Sequence, residues 1–349
     1  MGLMKKRILL GMSGGTDSSV AAILLLEQGF DVVGITFRFW EEGENVHLQD
    51  AARLAEQLGI QHVVYDAREV FRANVVQYFM DEYLAGRTPF PCVKCNNELK
   101  WKLILEEADR LGCDKVAMGH YVNIIPENDH YFVAEGKDPD KDQSFFLWGL
   151  TQAQLSRIVF PLGQFHKTEV RAMAAQRGYK RVSEKKDSLG ACFCTGDYRP
   201  FLKKQLAEPD KFIYPGNFID EDGIVLGQHE GFPLYTVGQR RGLIHLNRKV
   251  FVKEIRPNTN EVILAPLKSM YKTEFLIRDV NVVDKVLFTN EFDTICRIRY
   301  RKQNTLCRVV FLEDNMANVE LAEPLESIAP GQTAVFYRDG RILGGGFIN

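Results

Sequence analysis

A loop rich in glycine and hydroxyl side chains near the start of this 349-residue chain has the composition of an anion-binding site. Residues 11–19 read Gly-Met-Ser-Gly-Gly-Thr-Asp-Ser-Ser and separate a short apolar run from a helical pattern. Glycines let the backbone approach an anion closely, and the start of a helix directs several N–H donors at it. A glycine-rich turn without a ligand is the alternative. The order Ser-Gly-Gly-x-Asp-Ser between strand and helix favours a phosphate loop.

Two closely spaced pairs of cysteines form the second group of residues that could do chemistry. Cys92 and Cys95 are three positions apart in one segment, and Cys192 and Cys194 are two positions apart in another. Such spacing is typical of a structural zinc site, a redox pair or the ligands of an iron–sulfur cluster. The neighbouring Pro, Gly, Lys and Asp residues indicate loops, so coincidental core cysteines are the weaker interpretation. The residues alone leave the three chemistries open.

The surroundings of Cys95 give it a physical reason to be reactive. It stands just before a helical pattern over residues 98–111 that Asn96 or Asn97 would cap. The positive end of that helix, together with Lys94 and Lys100, should favour a thiolate over a thiol. We therefore expect a nucleophilic sulfur at this position.

The composition of the chain limits where it works and what it binds. A formal net charge of −2 argues against wholesale non-specific binding of nucleic acid, but it permits a local basic face. Seven cysteines, an odd number in a chain of this length, do not form the disulfide framework of a secreted protein. No apolar run approaches the roughly 18 residues of a membrane span, and the run after Arg7 is too short for a signal peptide. We expect a cytoplasmic protein that does not contact membranes.

The elements that must position these residues alternate regularly over the first 190 positions. Strands are predicted at residues 7–12, 31–39, 62–66 and 115–118, and helices at 18–28, 48–58 and 98–111. This rhythm predicts an α/β fold with a doubly wound parallel sheet.

The pattern changes near Pro200, where short strand-like runs begin to alternate with turn residues. Hairpins are predicted over residues 217–226 and 250–264. These runs indicate a small β-rich middle domain and a C-terminal β-barrel. The predicted domains cover residues 1–199, 200–268 and 269–349.

Basic and apolar residues alternate over residues 297–301, which read Arg-Ile-Arg-Tyr-Arg. On a strand, that period places three guanidinium groups on one face, where they could contact a phosphate backbone. A solvated edge strand protected by its charges is the alternative.

The glycine loop resembles the PP-loop of the ATP pyrophosphatases, enzymes that split ATP into AMP and pyrophosphate. It lacks the Gly-Lys-Ser/Thr of a Walker loop. The resemblance implies a nucleotide site with Mg²⁺ held by Asp17 and with Phe37 and Gly119 bordering the adenine. The residues implied to bind ATP are Gly11, Met12, Ser13, Gly14, Gly15, Thr16, Asp17, Ser18, Phe37 and Gly119.

A wider resemblance extends over nearly the whole chain, to the bacterial tRNA-specific 2-thiouridylases. It rests on an ordered set of segments, namely residues 13–20, 88–96, 119–121, 140–147, 186–193, 236–243 and 297–301. The resemblance implies ATP-dependent 2-thiolation of the wobble uridine of tRNA. ATP would adenylate the uridine O2, and a persulfide on Cys192 would deliver sulfur to C2. Cys95 would be the second catalytic thiol.

Some positions depart from the pattern of that family. Cys92 stands where many relatives have Asp, and this resembles a subgroup in which Cys92, Cys95 and Cys192 would bind a [4Fe–4S] cluster. The resemblance therefore leaves persulfide relay and cluster chemistry both open. Phe90 replaces the usual Asn of the uridine-facing loop, and Cys194 is an extra thiol without a family role.

The resemblance also implies two partners, a tRNA and a protein that donates sulfur, either a sulfur-relay protein or a cysteine desulfurase. The residues implied to contact tRNA are Phe90, Pro91, Cys92, His120, Lys141, Asp142, Gln143, Arg299, Tyr300 and Gln332. Two other functions were weighed. One is a PP-loop ligase or synthetase that acts on a small molecule, and the other is a zinc-stabilised RNA-binding module without catalysis.

Overall fold

A computed structural model describes residues 6–40, 46–177, 190–194, 196–206, 213–283, 291–300 and 303–349. The predictions made for residues 186–189 and for Arg301 lie outside these ranges. The chain divides into two compact units. The first contains Met1–Asn74, Cys92–Leu189 and Asp339–Leu343, and the second contains Val75–Pro91, Gly190–Arg338 and Gly344–Asn349.

A five-stranded parallel sheet forms the centre of the first unit. Its strand order is β3-β2-β1-β4-β7. The strands of the unit are β1 Arg7–Gly11, β2 Asp31–Arg38, β3 Gln61–Asp66, β4 Lys115–Ala117, β5 Val122–Glu127, β6 His130–Glu135 and β7 Ile158–Val159. The three apolar residues at the centre of β1 are wholly buried, because helices cover both faces of a parallel sheet.

Helices connect the strands of this sheet, whereas the helices at Gln77–Leu84 and Tyr198–Gln205 lie in the second unit. Those up to residue 84 are α1 Thr16–Glu27, α2 Val46–Leu58, α3 Arg68–Phe71, a π-helix over Arg72–Val76 and α4 Gln77–Leu84. Those that follow are α5 Pro91–Lys94, a second π-helix over Cys95–Lys100, α6 Trp101–Arg110, α7 Gln152–Leu155, α8 Lys167–Gln176 and α9 Tyr198–Gln205. Helix α1 packs into the core with α2 and α8. No helix within the described residues has both the length and the hydropathy of a bilayer-spanning segment.

The second unit contains a four-stranded sheet of order β10-β11-β8-β9. These strands are β8 Gly216–Ile219, β9 Val225–His229, β10 Phe251–Arg256 and β11 Glu261–Ala265. Both predicted hairpins are confirmed, since β8 pairs with β9 and β10 pairs with β11 in antiparallel register. Asn260 closes the second turn in the left-handed conformation that asparagine tolerates.

A closed six-stranded barrel completes the second unit. Its strands are β12 Tyr271–Val282, β13 Glu291–Arg297, β14 Thr305–Phe311, β15 Ala317–Glu326, β16 Thr333–Arg338 and β17 Arg341–Ile348. Their order is β12-β15-β14-β13-β16-β17, and pairing of β12 with β17 closes the ring. The α/β sheet, the β-rich middle region and the C-terminal barrel are thus confirmed. The three domain boundaries stay predictions.

The predicted strand over residues 297–301 is wrong at residues 298–300. Strand β13 ends at Arg297, and residues 298–300 form a bend. The Arg297 side chain donates to Asn304 at 2.6 Å and lies over the Tyr337 ring, 3.9 Å from its centroid. Local alternation predicted a face of three guanidinium groups, whereas the Arg297 side chain packs on an aromatic ring and the strand ends at that residue.

Closure of the barrel depends on glycine at position 344. A Cβ atom at Gly344 would lie 2.3 Å from the carbonyl oxygen of Asn281 on the paired strand. We expect Gly344→Ala to destabilise the second unit by about 1–3 kcal/mol through overpacking. A thermal scan of the full chain should show its Tm lowered by several degrees. Gly227→Ala is the control, because its Cβ would meet Ile244 at an ordinary 3.5 Å; an equal loss of Tm in both variants would contradict the explanation.

Candidate active site

The glycine loop lies where the sheet of the first unit reverses its strand order. It follows β1, and the chain moves from β1 to β2 on one side and later to β4 on the other. Ligands of open α/β sheets bind at such a point, beyond the carboxyl ends of the strands. Helix α1 begins directly after the loop with Gly15 as its N-cap, a residue that has no side chain to cap the helix. Its first N–H groups therefore point at the loop.

Two glycines of this site have steric reasons to be glycine. Gly14 has a φ of +65°, and a Cβ atom there would lie 2.5 Å from the carbonyl oxygen of His47. Gly119, which follows β4, lies so close to α1 that its Cβ would be 2.9 Å from the backbone of Asp17 and Ser18. The loops after β1 and β4 therefore pack directly against each other.

The hydroxyl groups of the loop fix its shape. The N–H of Ser13 donates to Ser18 Oγ at 3.2 Å, and Ser13 Oγ lies 3.3 Å from the same atom. Ser18 Oγ and Ser19 Oγ both donate to the carbonyl oxygen of Gly15, at 3.2 Å and 2.8 Å. The N–H of Met12 donates to Ile35 of the neighbouring strand at 2.7 Å. Hydrogen bonds among its own residues, together with one bond to the neighbouring strand, fix the conformation of the loop.

Lys167 and Tyr121 bind the carboxylate of Asp17, and sequence reasoning missed both. Lys167 Nζ lies 2.7 Å and 2.8 Å from the two carboxylate oxygens, and Tyr121 Oη donates to one of them at 2.6 Å. The Lys167 side chain is only 8% exposed, so its charge is buried beside the phosphate loop. The sequence signal for Lys167 was a lysine at the first position of a capped helix. That signal is too weak to predict a role for this residue without the fold.

The segment at residues 136–144 bonds to the backbone of Lys167 and Tyr121, the two residues whose side chains bind Asp17. Asp138 accepts from the backbone N–H of Lys167 at 2.8 Å. Gln143 accepts from the N–H of Tyr121 at 3.1 Å, and its own N–H donates to the Tyr121 carbonyl at 3.2 Å. A hydrogen-bonded path therefore runs from this segment to Asp17.

Three residues predicted to contact tRNA lie in the same segment. Asp142 accepts from the N–H groups of Gly136 and Ser144 and from the Ser144 hydroxyl, and burial raises its pKa. Gln143 holds Tyr121, and the N–H of Lys141 donates to Asp138. Asp142 and Gln143 thus shape the segment; contact of the three with tRNA stays a prediction.

Phe37 occupies the end of β2 at the same edge of the sheet as the glycine loop. Its ring stacks on Phe39 at 5.5 Å between centroids and meets Tyr65 edge-on at 5.7 Å. The residue is half-buried. An aromatic wall at this place suits a flat heterocycle, and its role towards adenine stays a prediction.

The cysteine pair at residues 92 and 95 lies within a helical segment, and the predicted capping by Asn96 or Asn97 is wrong. Helix α5 already begins at Pro91 and continues through the π-helix into α6. Asn96 instead donates to the Cys92 carbonyl at 2.8 Å, and Asn97 accepts from the N–H of Gly149 at 3.1 Å. Pro91 stands at the first helical position, where proline is favoured, and it marks the start of the helix ahead of the two asparagines.

The expectation of a favoured thiolate at Cys95 is also wrong in its direction. Burial raises the pKa of Cys95 above its ordinary value, and the nearby Cys92 raises it further. The Lys100 ammonium and the Lys100 backbone N–H act in the opposite direction and lower the same pKa. Lys94 pairs with Glu98 at 2.5 Å. Lys100 is therefore the basic residue that favours ionisation of this sulfur.

His120 packs beside the helix that carries the two cysteines. Its ring lies 5.6 Å from that of Trp101 and 6.0 Å from that of Phe160. Burial and the Lys100 charge lower its pKa to about 3, so the imidazole is neutral near pH 7. Its Nδ1 is buried without a hydrogen-bond partner in the described part of the chain. His120 can offer a ligand a hydrogen bond but no charge.

Cys192 lies in the second unit, in a tight turn that spans residues 190–194. It is exposed, whereas Phe193 is buried beside it. The N–H of Cys194 closes the turn by donating to the carbonyl of Ala191 at 3.1 Å. An exposed cysteine on a fixed turn is accessible to a large partner.

The loop that precedes Cys92 in the chain is held by the barrel of the second unit. Gln332 Nε2 donates to the carbonyls of Thr88 and Pro89 at 2.9 Å and 3.3 Å, and the N–H of Thr88 donates to Pro330 at 2.7 Å. Phe90 continues this loop, and Pro91 begins helix α5. Gln332 therefore positions residues implied to face the tRNA, in addition to any contact of its own.

A cavity of about 420 Å³ adjoins this loop within the second unit. Its lining includes Thr88, Gln332 and Arg299 together with Thr236 and Gly238. Arg299 donates to the Glu326 carbonyl at 2.8 Å, which fixes its guanidinium at the cavity. Tyr300 follows in the bend after β13. Contact of Arg299 and Tyr300 with tRNA stays a prediction.

The predicted metal sites find limited support. Among the residues that the structure describes, no three His, Cys, Asp or Glu side chains gather as a metal-binding group. An iron–sulfur cluster on Cys92, Cys95 and Cys192 therefore stays a prediction on which no step is built. Asp17 has the oxygen ligands that Mg²⁺ prefers, although Lys167 and Tyr121 now bind them.

Removal of the Lys100 charge should slow alkylation of Cys95. The thiolate is the reactive form, and loss of a cation that lowers its pKa leaves less thiolate at a given pH. For Lys100→Gln we expect several-fold slower labelling by iodoacetamide at pH 8 and a pH–rate profile shifted to higher pH, both measured by mass spectrometry. Lys102→Gln is the control, because this exposed lysine pairs with Glu106. A profile unchanged by Lys100→Gln would contradict the assignment.

Three family descriptions match the chain in succession. Residues 6–196 match a tRNA methyl transferase HUP domain. Residues 199–266 match a tRNA methyl transferase PRC-barrel domain. Residues 272–348 match an aminomethyltransferase beta-barrel domain.

Full-length relatives carry a common name. The tRNA-specific 2-thiouridylase MnmA 1 of Bacteroides fragilis (strain YCH46) is 53% identical over 353 residues, which cover 98% of this chain and 97% of the relative. MnmA 2 of Phocaeicola vulgatus is 52% identical with the same coverage of both chains. MnmA of Cytophaga hutchinsonii is 41% identical, over 99% of this chain and 97% of its own. The chain therefore belongs to the tRNA-specific 2-thiouridylase family.

Proposed function

We propose that this protein is an ATP-dependent tRNA-uridine 2-sulfurtransferase that converts the wobble uridine of tRNA to 2-thiouridine. The observation that carries the proposal is the buried Lys167 ammonium bound to Asp17 at the rim of the glycine loop. A phosphate loop of this kind suits activation of a substrate oxygen by ATP. The full-length relatives named as tRNA-specific 2-thiouridylases support tRNA as the substrate that is activated.

The loop after β1 suits a triphosphate for three physical reasons. Gly14 and Gly119 let the backbone of the loop and the start of α1 pack closely, and the first N–H groups of α1 would face the phosphates. Lys167 supplies a positive charge at a buried position, where the low dielectric constant strengthens its interaction with an anion. Mg²⁺ on Asp17 would neutralise the phosphates further. In this proposal ATP adenylates the uridine O2 and releases pyrophosphate, which turns O2 into a leaving group.

Lys167 and Asp17 neutralise each other before a nucleotide arrives. Binding of phosphates would give Lys167 a stronger anionic partner, and Asp17 would then be available to a cation. Tyr121 retains its hydrogen bond to Asp17 and keeps the carboxylate oriented during this exchange. The ion pair thus fixes the Lys167 ammonium in position before the reaction. Charges fixed in advance account for much of the rate enhancement of many enzymes.

The two cysteine segments suit different parts of sulfur transfer. Exposed Cys192 is accessible to a donor protein, a sulfur-relay protein or a cysteine desulfurase, that leaves a persulfide on it. The terminal sulfur of that persulfide would attack C2 of the adenylated uridine and expel AMP. Cys95, with Lys100 beside it, is the second thiol and either forms a disulfide with Cys192 or frees the sulfide. The alternative source of the transferred sulfur is a sulfide bound to an iron–sulfur cluster. Analysis of iron and acid-labile sulfide in the purified protein would reveal such a cluster.

The test of this function is thiolation of unmodified tRNA by the purified protein with ATP, Mg²⁺ and a persulfide donor. We expect 2-thiouridine in the digested tRNA, with one AMP released for each thiolation. Cys192→Ser and Cys95→Ser should abolish thiolation while the Tm is kept. Cys113→Ser is the control, since this buried cysteine lies in neither segment. ATP turnover on a small amino acid or purine, without dependence on tRNA, would contradict the proposal.

Loss of the Lys167 charge should impair the adenylation step. For Lys167→Gln we expect a fall in AMP release and thiolation on the order of a hundredfold, because a preorganised charge on the phosphates is removed. Lys167→Arg keeps the charge and should recover part of the rate. Lys137→Gln is a matched control. Lys137 pairs with Glu169, which lies on the same helix as Lys167, but the Lys137 side chain is 46% exposed. Equal activity of Lys167→Gln and Lys137→Gln would remove Lys167 from the reaction.

A further inference from the structure

A buried carboxylate in the second unit binds two arginines that are far apart in the chain. The Glu82 side chain, on helix α4, is only 5% exposed. Arg87 donates to its two oxygens through Nε and Nη2, at 2.8 Å and 2.6 Å. Arg278, on barrel strand β12, donates to the same two oxygens through Nη2, at 3.0 Å and 3.1 Å. One carboxylate therefore joins helix α4, the loop that follows it and the barrel.

The chemistry of this cluster suits it to fixing geometry more than to adding stability. The attraction within a buried ion pair is largely offset by the cost of removing its charges from water, and apolar side chains of similar volume often stabilise as well. The planar guanidinium of arginine, however, meets a carboxylate in a defined orientation. The Arg278 guanidinium also donates to Asp279 at 2.8 Å and lies over the Phe347 ring, 5.7 Å from its centroid. The barrel thus fixes the direction from which Arg278 binds Glu82.

The loop that follows α4 is held at successive residues. The backbone N–H of Arg87 donates to the Glu82 carbonyl at 2.8 Å, in addition to the side-chain bonds. The N–H of Thr88 donates to Pro330 at 2.7 Å. Gly331 lies so close that a Cβ atom there would be 2.7 Å from the Thr88 carbonyl oxygen. The Glu82 cluster therefore holds the start of the loop, and the barrel holds the next residue.

We propose that Glu82 is a positioning residue for tRNA, which acts by holding this loop in the conformation that receives the wobble uridine. The inference rests on the proposed function, because family resemblance is what assigns Phe90 and Pro91 of the loop region to tRNA. Glu82 itself is buried, and arginines occupy both of its oxygens. Its effect on tRNA therefore passes through the loop, by way of Arg87 and Arg278.

The sign of the effect on tRNA binding separates positioning from simple electrostatics. Glu82→Gln removes a negative charge from the protein, and a weaker repulsion of phosphates would by itself strengthen the binding of RNA. Release of the loop would weaken that binding, because apparent affinity falls with the fraction of molecules in the competent conformation. The two explanations thus predict opposite changes for one substitution.

The test is the dissociation constant of the full chain for unmodified tRNA, measured by fluorescence anisotropy without ATP. For Glu82→Gln we expect this constant to rise on the order of tenfold. Arg278→Gln leaves Glu82 paired with Arg87, so that no buried charge loses its last partner, and the constant should rise here too. The slope of log affinity against log salt should stay that of the unaltered chain, because Arg278 contributes no phosphate contact.

Two controls separate loss of positioning from damage to the fold. Arg308→Gln also removes a barrel arginine, but Arg308 is 52% exposed and pairs with Asp293 on the neighbouring strand. This variant should bind tRNA as the unaltered chain does. The KM for ATP in the thiolation assay should be unchanged in all three variants. An equal rise in the KM for ATP and in the tRNA constant would overturn the role of Glu82, as would tRNA binding that is unchanged or tighter in Glu82→Gln.

A second measurement needs neither tRNA nor ATP. Hydrogen exchange followed by mass spectrometry of the loop peptide reports opening of the Thr88 N–H bond. We expect exchange roughly tenfold faster in Glu82→Gln and Arg278→Gln, and unchanged in Arg308→Gln. Unchanged exchange in Glu82→Gln overturns the inference even where tRNA is thiolated. Faster exchange in Glu82→Gln, together with an unaltered chain that does not thiolate tRNA, instead contradicts the proposed function.

Discussion

The ion pair between Lys167 and Asp17 organises the first unit around its phosphate loop. The Lys167 side chain is almost wholly buried, and a buried charge without a partner costs far more than a paired one. Asp17 offers that partner with both oxygens, and Tyr121 fixes the carboxylate from another direction. Since the two charged residues are 150 positions apart in the chain, the pair also joins α1 to α8.

The glycine loop and the segment at residues 136–144 depend on this pair in different ways. Gly119 allows the loop after β4 to touch the first turn of α1, so that Asp17 faces Tyr121 and Lys167. The segment reaches the same carboxylate through Asp138 and Gln143. Residues that family resemblance assigns to tRNA thus share a hydrogen-bonded path with the nucleotide loop.

The cysteines differ mainly in how much water reaches them. Cys95 lies inside a helical segment, where burial disfavours its thiolate and Lys100 offsets part of that cost. Cys192 is exposed on its turn, whereas Cys194, two residues further on, is buried. Cysteines that share one kind of spacing motif in the sequence therefore differ in exposure to solvent in the fold.

The sequence by itself determined the α/β sheet, the two hairpins and the phosphate loop, because these follow from local periodicity and turn residues. Ordered motifs also identified the family. The sequence patterns predicted the wrong start for the helix that carries Cys95, and they extended β13 beyond Arg297. Only the tertiary structure revealed Lys167 and Tyr121 on Asp17 and the burial that raises the pKa of Cys95. Contacts between distant residues and exclusion of water arise from packing, which no local pattern encodes.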